Sequence, residues 1–163
     1  MNIRKAIYPG TFDPITNGHL DVLERALTMF DEIRIVVAKN SAKNPMFTEE
    51  ERLGMIREAV KRFPSVSAES FQGLTVDYAR NYGAVAIIRG LRAVSDFEYE
   101  FQIALMNRKI APSITTAFLM PHEKYTYLNS SIIRELARHG QSVSGFVPES
   151  VVKALEEKYP LRS

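Results

Sequence analysis

The chain has 163 residues, 45% hydrophobic and 25% charged, which is the composition of one soluble domain (1–163) long enough for a conventional apolar core. A formal net charge of +2 with the signs interspersed argues against a nucleic-acid coat but leaves room for a local basic pocket. The absence of cysteine excludes a disulfide scaffold, a thiol nucleophile and a cysteine zinc site.

The first predicted element is a strand over Lys5–Tyr8, stopped by Pro9-Gly10. That pair arrives too soon after Met1 for a signal-peptide core, so a cytoplasmic setting is expected. From Gly18 onward Leu20, Leu23, Leu27 and Phe30 form the stripe of an amphipathic helix. Ile33–Val37 is β-branched and predicts a second strand. Thr48 with Glu51 is a capping box, and Leu53, Ile56, Val60 and Phe63 carry its helix onward. Val66–Phe71 is a weaker strand and Val76–Tyr82 a short helix. Ala84–Ile88, the longest apolar run, is far below the ~20 residues that span a bilayer, and reads as a strand covered on both faces. Helices follow over Asp96–Lys109, Ser130–Arg138 and Glu149–Lys158, with a strand near Ala117–Met120. The alternation predicts an α/β fold, a doubly wound parallel sheet of about five strands with helices on both faces. Ligands of such folds bind at the carboxyl ends of the strands, near the topological switch point.

The chemically interesting residues follow the predicted strands. Gly10 gives a tight exit from the first strand, and Gly18 lets backbone approach a ligand. Thr16 and His19, three apart at a helix start, can face one site beside unpaired N–H groups that favour phosphate. A solvated cap is the plain reading of such a histidine; the order strand, glycine turn, hydroxyl, glycine, histidine favours a phosphate site. Arg89 and Arg92 follow the buried strand and are placed at the ligand crevice. Lys43, in the polar loop 39–45, reads by itself as a solvated lysine, and the acids of Asp96–Glu100 as surface charge. Ser130 or Ser131 caps the helix that follows, or marks a phosphate-binding helix start. P-loop, dinucleotide, catalytic-triad and metal-ligand spacings are all missing. What remains suits a reaction in which the substrate brings its own nucleophile and the protein supplies position and positive charge.

These residues resemble a known family. Thr16-Asn17-Gly18-His19 is similar to the T/H-x-G-H signature of the nucleotidylyltransferase superfamily, and Asn129-Ser130-Ser131-Ile132-Ile133-Arg134 to its S-S-x-x-R/K signature. The strings Tyr8–His19, Pro45-Met46-Phe47, Arg89–Arg92 with Asp96–Glu100, and Phe118–Pro121 narrow the likeness to the bacterial phosphopantetheine adenylyltransferases, from Tyr8 to about Pro148. The resemblance implies a Rossmann-like fold and transfer of AMP from ATP to 4′-phosphopantetheine, with Mg²⁺ and no protein metal ligand assigned. By position it assigns Thr11, Lys43 and Arg89 to the phosphate of phosphopantetheine, and Thr75 to its pantetheine arm. ATP is assigned to Thr11, Phe12, His19, Gly90, Leu91, Arg92 and Glu100, with the segment Tyr125, Thr126, Tyr127, Leu128, Asn129, Ser130 and Ser131. His19, Lys43 and Arg92 are the catalytic candidates. Asn129 departs from the family, which usually has serine there; asparagine keeps a hydrogen-bonding side chain. The resemblance also implies feedback inhibition by coenzyme A and a homohexamer, with no nucleic-acid or membrane partner. Phe97, Phe101, Ala104 and Leu105 on one side of a helix, and Tyr99, Ile103 and Met106 on another, point to two partners, the sheet and something else, either a second chain, as an oligomer would supply, or a loop of the same chain. The alternatives are another nucleotidylyltransferase and a catalytically silent nucleotide-binding module.

Overall fold

The computed structural model describes residues 3–39 and 44–162. Five parallel strands, β1 (Lys5–Gly10), β2 (Glu32–Ala38), β3 (Val66–Phe71), β4 (Ala86–Gly90) and β5 (Thr115–Leu119), form one sheet in the order β3-β2-β1-β4-β5. The helices are α1 (Asn17–Ala26), α2 (Glu49–Ala59), α3 (Thr75–Tyr82), α4 (Val94–Ile110), α5 (Ser130–Arg138) and α6 (Glu149–Lys158), with a 3₁₀ turn at Glu123–Tyr125. This is the doubly wound α/β architecture that the alternation predicts. Successive strand residues point to opposite faces. Ala6, Ile33, Ile35 and Ile88 pack under α1, α2, α5 and α6, whereas Ile7, Val36 and Ile87 pack under α3.

The strand order reverses between β1 and β4, and there the sheet opens. β1 pairs with β2 along its whole length, from Lys5↔Glu32 to Gly10↔Val37, but with β4 only at Ala6↔Ala86 and Ile7↔Ile87. Beyond Ile7 the two strands part. That divergence explains how a proline sits inside a central strand. Lys5 O on the β4 side accepts from Val85 N, and Pro9 O on the same side accepts from Arg89 Nη1. The N–H that proline lacks therefore belongs to an edge where no ladder continues.

Several predicted boundaries move. β1 runs through Pro9-Gly10 instead of stopping before them. β4 starts two residues late and includes Arg89 and Gly90, because β5 pairs with it through Arg89↔Phe118 and Gly90↔Leu119. α1 ends at Ala26, leaving Leu27 and Phe30 to pack from the following turn. The capping box of α2 is present, with Glu51 N bonded to Thr48 Oγ1 and Thr48 N to Glu51 Oε2.

α4 departs furthest from expectation. Neither of its apolar stripes is laid on the sheet: Phe97, Phe101 and Leu105 are 44–50% exposed, and Tyr99 and Met106 more so. Its one buried residue is Glu100. The helix is tied to the sheet by a polar side chain, Glu100 reaching back to Arg89 of β4, and its apolar surface is open around most of its girth. Among the described residues no helix is long and apolar enough to cross a membrane.

Candidate active site

A cleft of about 440 Å³ lies where β1 and β4 part. Its floor is the end of β1 and the loop to α1, and that loop is tightly prescribed. Phe12 holds a left-handed backbone (φ +48°), which is costly for a residue with a bulky side chain. Its buried ring stands edge-on to Tyr8 (5.4 Å) and near-perpendicular to His19 (5.0 Å). A Cβ at Gly10 would lie 2.9 Å from that ring. Gly10 is thus required by the space Phe12 occupies, not by a tight exit from the strand.

The loop is pinned by groups far away in sequence. The Asp13 carboxylate, 2% exposed, accepts from Met46 N (2.8 Å) and Phe47 N (2.9 Å). Its carbonyl accepts from Arg134 Nη1 at 2.7 Å. Buried Arg52 donates to Thr11 O, and Ser130 Oγ to Pro14 O, both at 2.8 Å. Three separate stretches, before α2, within α2 and at the head of α5, hold the turn in place.

α1 begins at the far end of the loop with a capping box. Thr16 Oγ1 accepts from His19 N (3.3 Å), while Thr16 N donates to His19 Nδ1 (3.0 Å). Because Nδ1 accepts a backbone N–H, the ring's proton resides on Nε2. Burial, and secondarily the Arg92 charge, lower the His19 pKa to about 4, so the imidazole is neutral at physiological pH. The site thereby holds a neutral, oriented donor beside a helix N-terminus.

Across the crevice stand the cations. Arg89 makes a bidentate pair with Glu100, Nε to Oε2 at 2.8 Å and Nη2 to Oε1 at 2.6 Å. Burial opposes the arginine's charge, but Glu100 more than offsets it and holds the pKa above the ordinary value. Two N–H bonds of that guanidinium go to Glu100 and one to Pro9 O, leaving two of its five for a ligand. Arg92 is anchored by Asp96 and by Leu128 O, each at 3.4 Å. Arg134 adds a third guanidinium, bonded to Asp13 O and Ser131 Oγ.

Most expected site residues meet here. Thr11, Phe12 and His19 line the cleft from the β1 side, and Arg89, Gly90, Arg92 and Glu100 from the β4 side. Tyr125, Leu128, Asn129, Ser130 and Ser131 close it from the α5 side. Asn129, not Ser130 or Ser131, caps α5, its Oδ1 accepting from Ile132 N at 2.9 Å. An asparagine is a strong cap, so the departure from serine is accommodated locally. Four expected residues lie off the lining. Thr75 opens α3, Leu91 N donates to Leu119 O, Thr126 Oγ1 caps the 3₁₀ turn through Glu123 O, and Tyr127 packs exposed against Phe146. Lys43 lies outside the described residues.

Tyr8, Asp13 and Arg134 line the cleft without having been assigned to it from sequence. Asp13 did leave a trace: it is the lone carboxylate in the otherwise uncharged stretch 8–20. Tyr8 left none, since its alternation with Ala6 reads as core.

Chemically, the cleft offers two helix starts, three guanidiniums and a neutral imidazole donor. Its hydroxyls at Thr16 and Ser130 are engaged with protein groups: Thr16 Oγ1 accepts from His19 N and lies 3.0 Å from His19 Nδ1, whose lone pair is taken by the Thr16 N–H, and Ser130 Oγ donates to Pro14 O. Such a site binds and orients polyanions. A family model described as cytidylyltransferase-like matches residues 7–136. The chain is 52% identical over 157 residues to the phosphopantetheine adenylyltransferase of Desulforudis audaxviator, covering 96% of each chain. It is 51% identical over 157 residues to the phosphopantetheine adenylyltransferase of Carboxydothermus hydrogenoformans, covering 96% of this chain and 97% of that one.

Two measurements check the site's construction. Asp13→Ala strips one buried and one part-buried amide of their acceptor and should lower stability by about 3 kcal/mol in denaturant titration, with Asp13→Asn costing about half as much. NMR of His19 should show the Nε2–H tautomer and titration near pH 4. That pKa lies below the ordinary histidine value of about 6.5, so the unfolded chain binds the proton first. The His19 contribution to stability is accordingly lost as pH falls from about 6.5 toward 4. A midpoint near 6.5 would contradict the assigned environment.

Proposed function

The chain belongs to the cytidylyltransferase-like family and, within it, to the phosphopantetheine adenylyltransferases; we propose that it transfers AMP from ATP to 4′-phosphopantetheine, forming dephospho-coenzyme A and pyrophosphate. The observation that carries this reading is half-identity with enzymes of that name across 96% of the chain. The cleft's chemistry supports it. A phosphate oxygen of phosphopantetheine attacks the α-phosphorus of ATP, and the bond from that phosphorus to the bridging oxygen breaks. Its electron pair leaves with pyrophosphate. The nucleophile is largely ionised at neutral pH, its second pKa being about 6, so no protein base is needed. Catalysis then rests on alignment and on charge stabilisation.

In this reading Thr11, Lys43 and Arg89 hold the acceptor's phosphate and Thr75 its pantetheine arm, whereas the residues of the β4 and α5 walls hold ATP. His19 Nε2–H donates to oxygens that gain charge as the bond to pyrophosphate breaks, with Lys43 and Arg92 supplying positive charge. Magnesium accompanies the nucleotide. Glu100 is committed to Arg89 and Asp13 to two amides. The remaining groups fit an ion carried by ATP's phosphates and water, where it would neutralise phosphate charge.

Coenzyme A shares the pantetheine arm and is proposed to compete for the same cleft. The apolar surface of α4, including the stacked pair Phe97 and Phe101 (5.4 Å), supports a homohexamer. A substrate pair of ATP and phosphopantetheine supports a cytoplasmic setting.

Incubation with ATP, Mg²⁺ and 4′-phosphopantetheine should release pyrophosphate and dephospho-coenzyme A, and unphosphorylated pantetheine should be inert. Turnover of pantetheine at a comparable rate would sink the assignment. Added coenzyme A should raise the apparent KM for phosphopantetheine; no change removes it as a competitor. His19→Ala should lower kcat about 10²–10³-fold in both directions while weakening ATP binding far less. Light scattering at micromolar concentration should give six times the chain mass, and a monomer would refute the assembly.

A further inference from the structure

Four polar residues lining the cleft are more than nine-tenths buried: Tyr8, Asp13, Thr16 and Glu100. Three are fully occupied by the fold: Asp13 with two amides, Thr16 in the capping box, Glu100 with Arg89. The Tyr8 hydroxyl is different. It makes no hydrogen bond among the described residues, and it is not sealed in either: Ser150 Oγ is the one closed-off side-chain atom there that lacks a partner. A buried phenol normally satisfies its O–H, so an O–H left open to a cleft is available to a ligand.

Its surroundings define what that ligand offers. The ring is fixed edge-on to Phe12 at 5.4 Å, with the His19 ring 6.5 Å away. Gly90 flanks the hydroxyl, where a Cβ would stand 3.7 Å from it, in ordinary van der Waals contact. Burial keeps the phenol protonated well above its ordinary range even though Arg89 and Arg92 pull the other way. The hydroxyl is therefore a permanent donor in a neighbourhood of guanidinium and imidazole donors, a setting that selects anionic oxygen. We propose that the Tyr8 hydroxyl donates a hydrogen bond to a substrate phosphate oxygen, making Tyr8 a specificity-determining residue of the reaction proposed above, on which this inference rests.

Tyr8→Phe removes only the hydroxyl. Because none of the described residues bonds it, the melting temperature should be unchanged while kcat/KM falls about 10–100-fold. Titration calorimetry with phosphopantetheine alone and with ATP alone identifies the source. Weaker phosphopantetheine binding places the hydroxyl on the nucleophilic phosphate, and weaker ATP binding places it on the nucleotide. A fall in kcat alone places it on oxygen that gains charge in the transition state. Wild-type kcat/KM for both substrates in Tyr8→Phe overturns the proposal, and so does a melting temperature that drops with activity, since the hydroxyl would then serve the fold. If the wild-type chain itself does not turn over ATP and phosphopantetheine, it is the functional reading that fails.

Discussion

One buried carboxylate joins the walls of the cleft. Asp13 leaves β1's connection to α1 and binds the backbone just ahead of α2, while its own carbonyl is held by Arg134 of α5. The Phe47 N–H would otherwise be short of an acceptor in a poorly hydrated interior, and the part-buried Met46 N–H and Arg134 guanidinium complete the clamp around it. The strained Phe12 backbone next to it, the ring that fills the space above Gly10, and the T-shaped contact to His19 follow from the path that this clamp imposes. A floor built this way is rigid before any ligand arrives. Polyanion chemistry requires such a floor, because donors that must reorganise lose much of their advantage.

Charge in the cleft is arranged with the same economy. Asp13 and Glu100 are present but committed, so neither opposes an incoming phosphate with a free negative group. Glu100 does more than neutralise. By taking two N–H bonds of Arg89 it fixes the guanidinium plane against Pro9 O and presents the remaining edge. His19, kept neutral by burial, adds a donor without adding a charge that neighbouring arginines would resist. Position and number of donors, not accumulated positive charge, distinguish this site from a generic basic patch.

Much of this was legible in the sequence, for local reasons. α5 and α6 fall where their periodicity places them, and α2 starts at its capping box, because periodicity and caps are local. β2 and β4 were readable as apolar, β-branched runs, and β3, half polar in Val66–Phe71, only weakly so. Strand ends were not readable, since the extent of β4 is decided by its pairing with β5 and that of β1 by its parting from β4. The site was readable where its residues fall in recognisable strings, at Thr11, Phe12 and His19 after β1 and from Asn129 to Ser131 at the head of α5. The Asp13 clamp was invisible as a clamp, because it joins positions 34 and 121 residues apart. The α4 expectation failed for a related reason. Two apolar stripes announce burial but not by what, and the chain's own sheet takes neither.

The capping box at α1 has an evolutionary side. The group that fixes the His19 ring is the peptide N–H of Thr16, with the hydroxyl as an auxiliary on the same Nδ1. A peptide N–H is indifferent to the codon it comes from. Every residue but proline supplies it, so position 16 can drift among side chains that terminate a helix while the imidazole keeps its tautomer. Position 19 has no such freedom. The asymmetry within the tetrapeptide, one tolerant end and one fixed end, comes from placing the orienting partner in the backbone, out of reach of ordinary substitution.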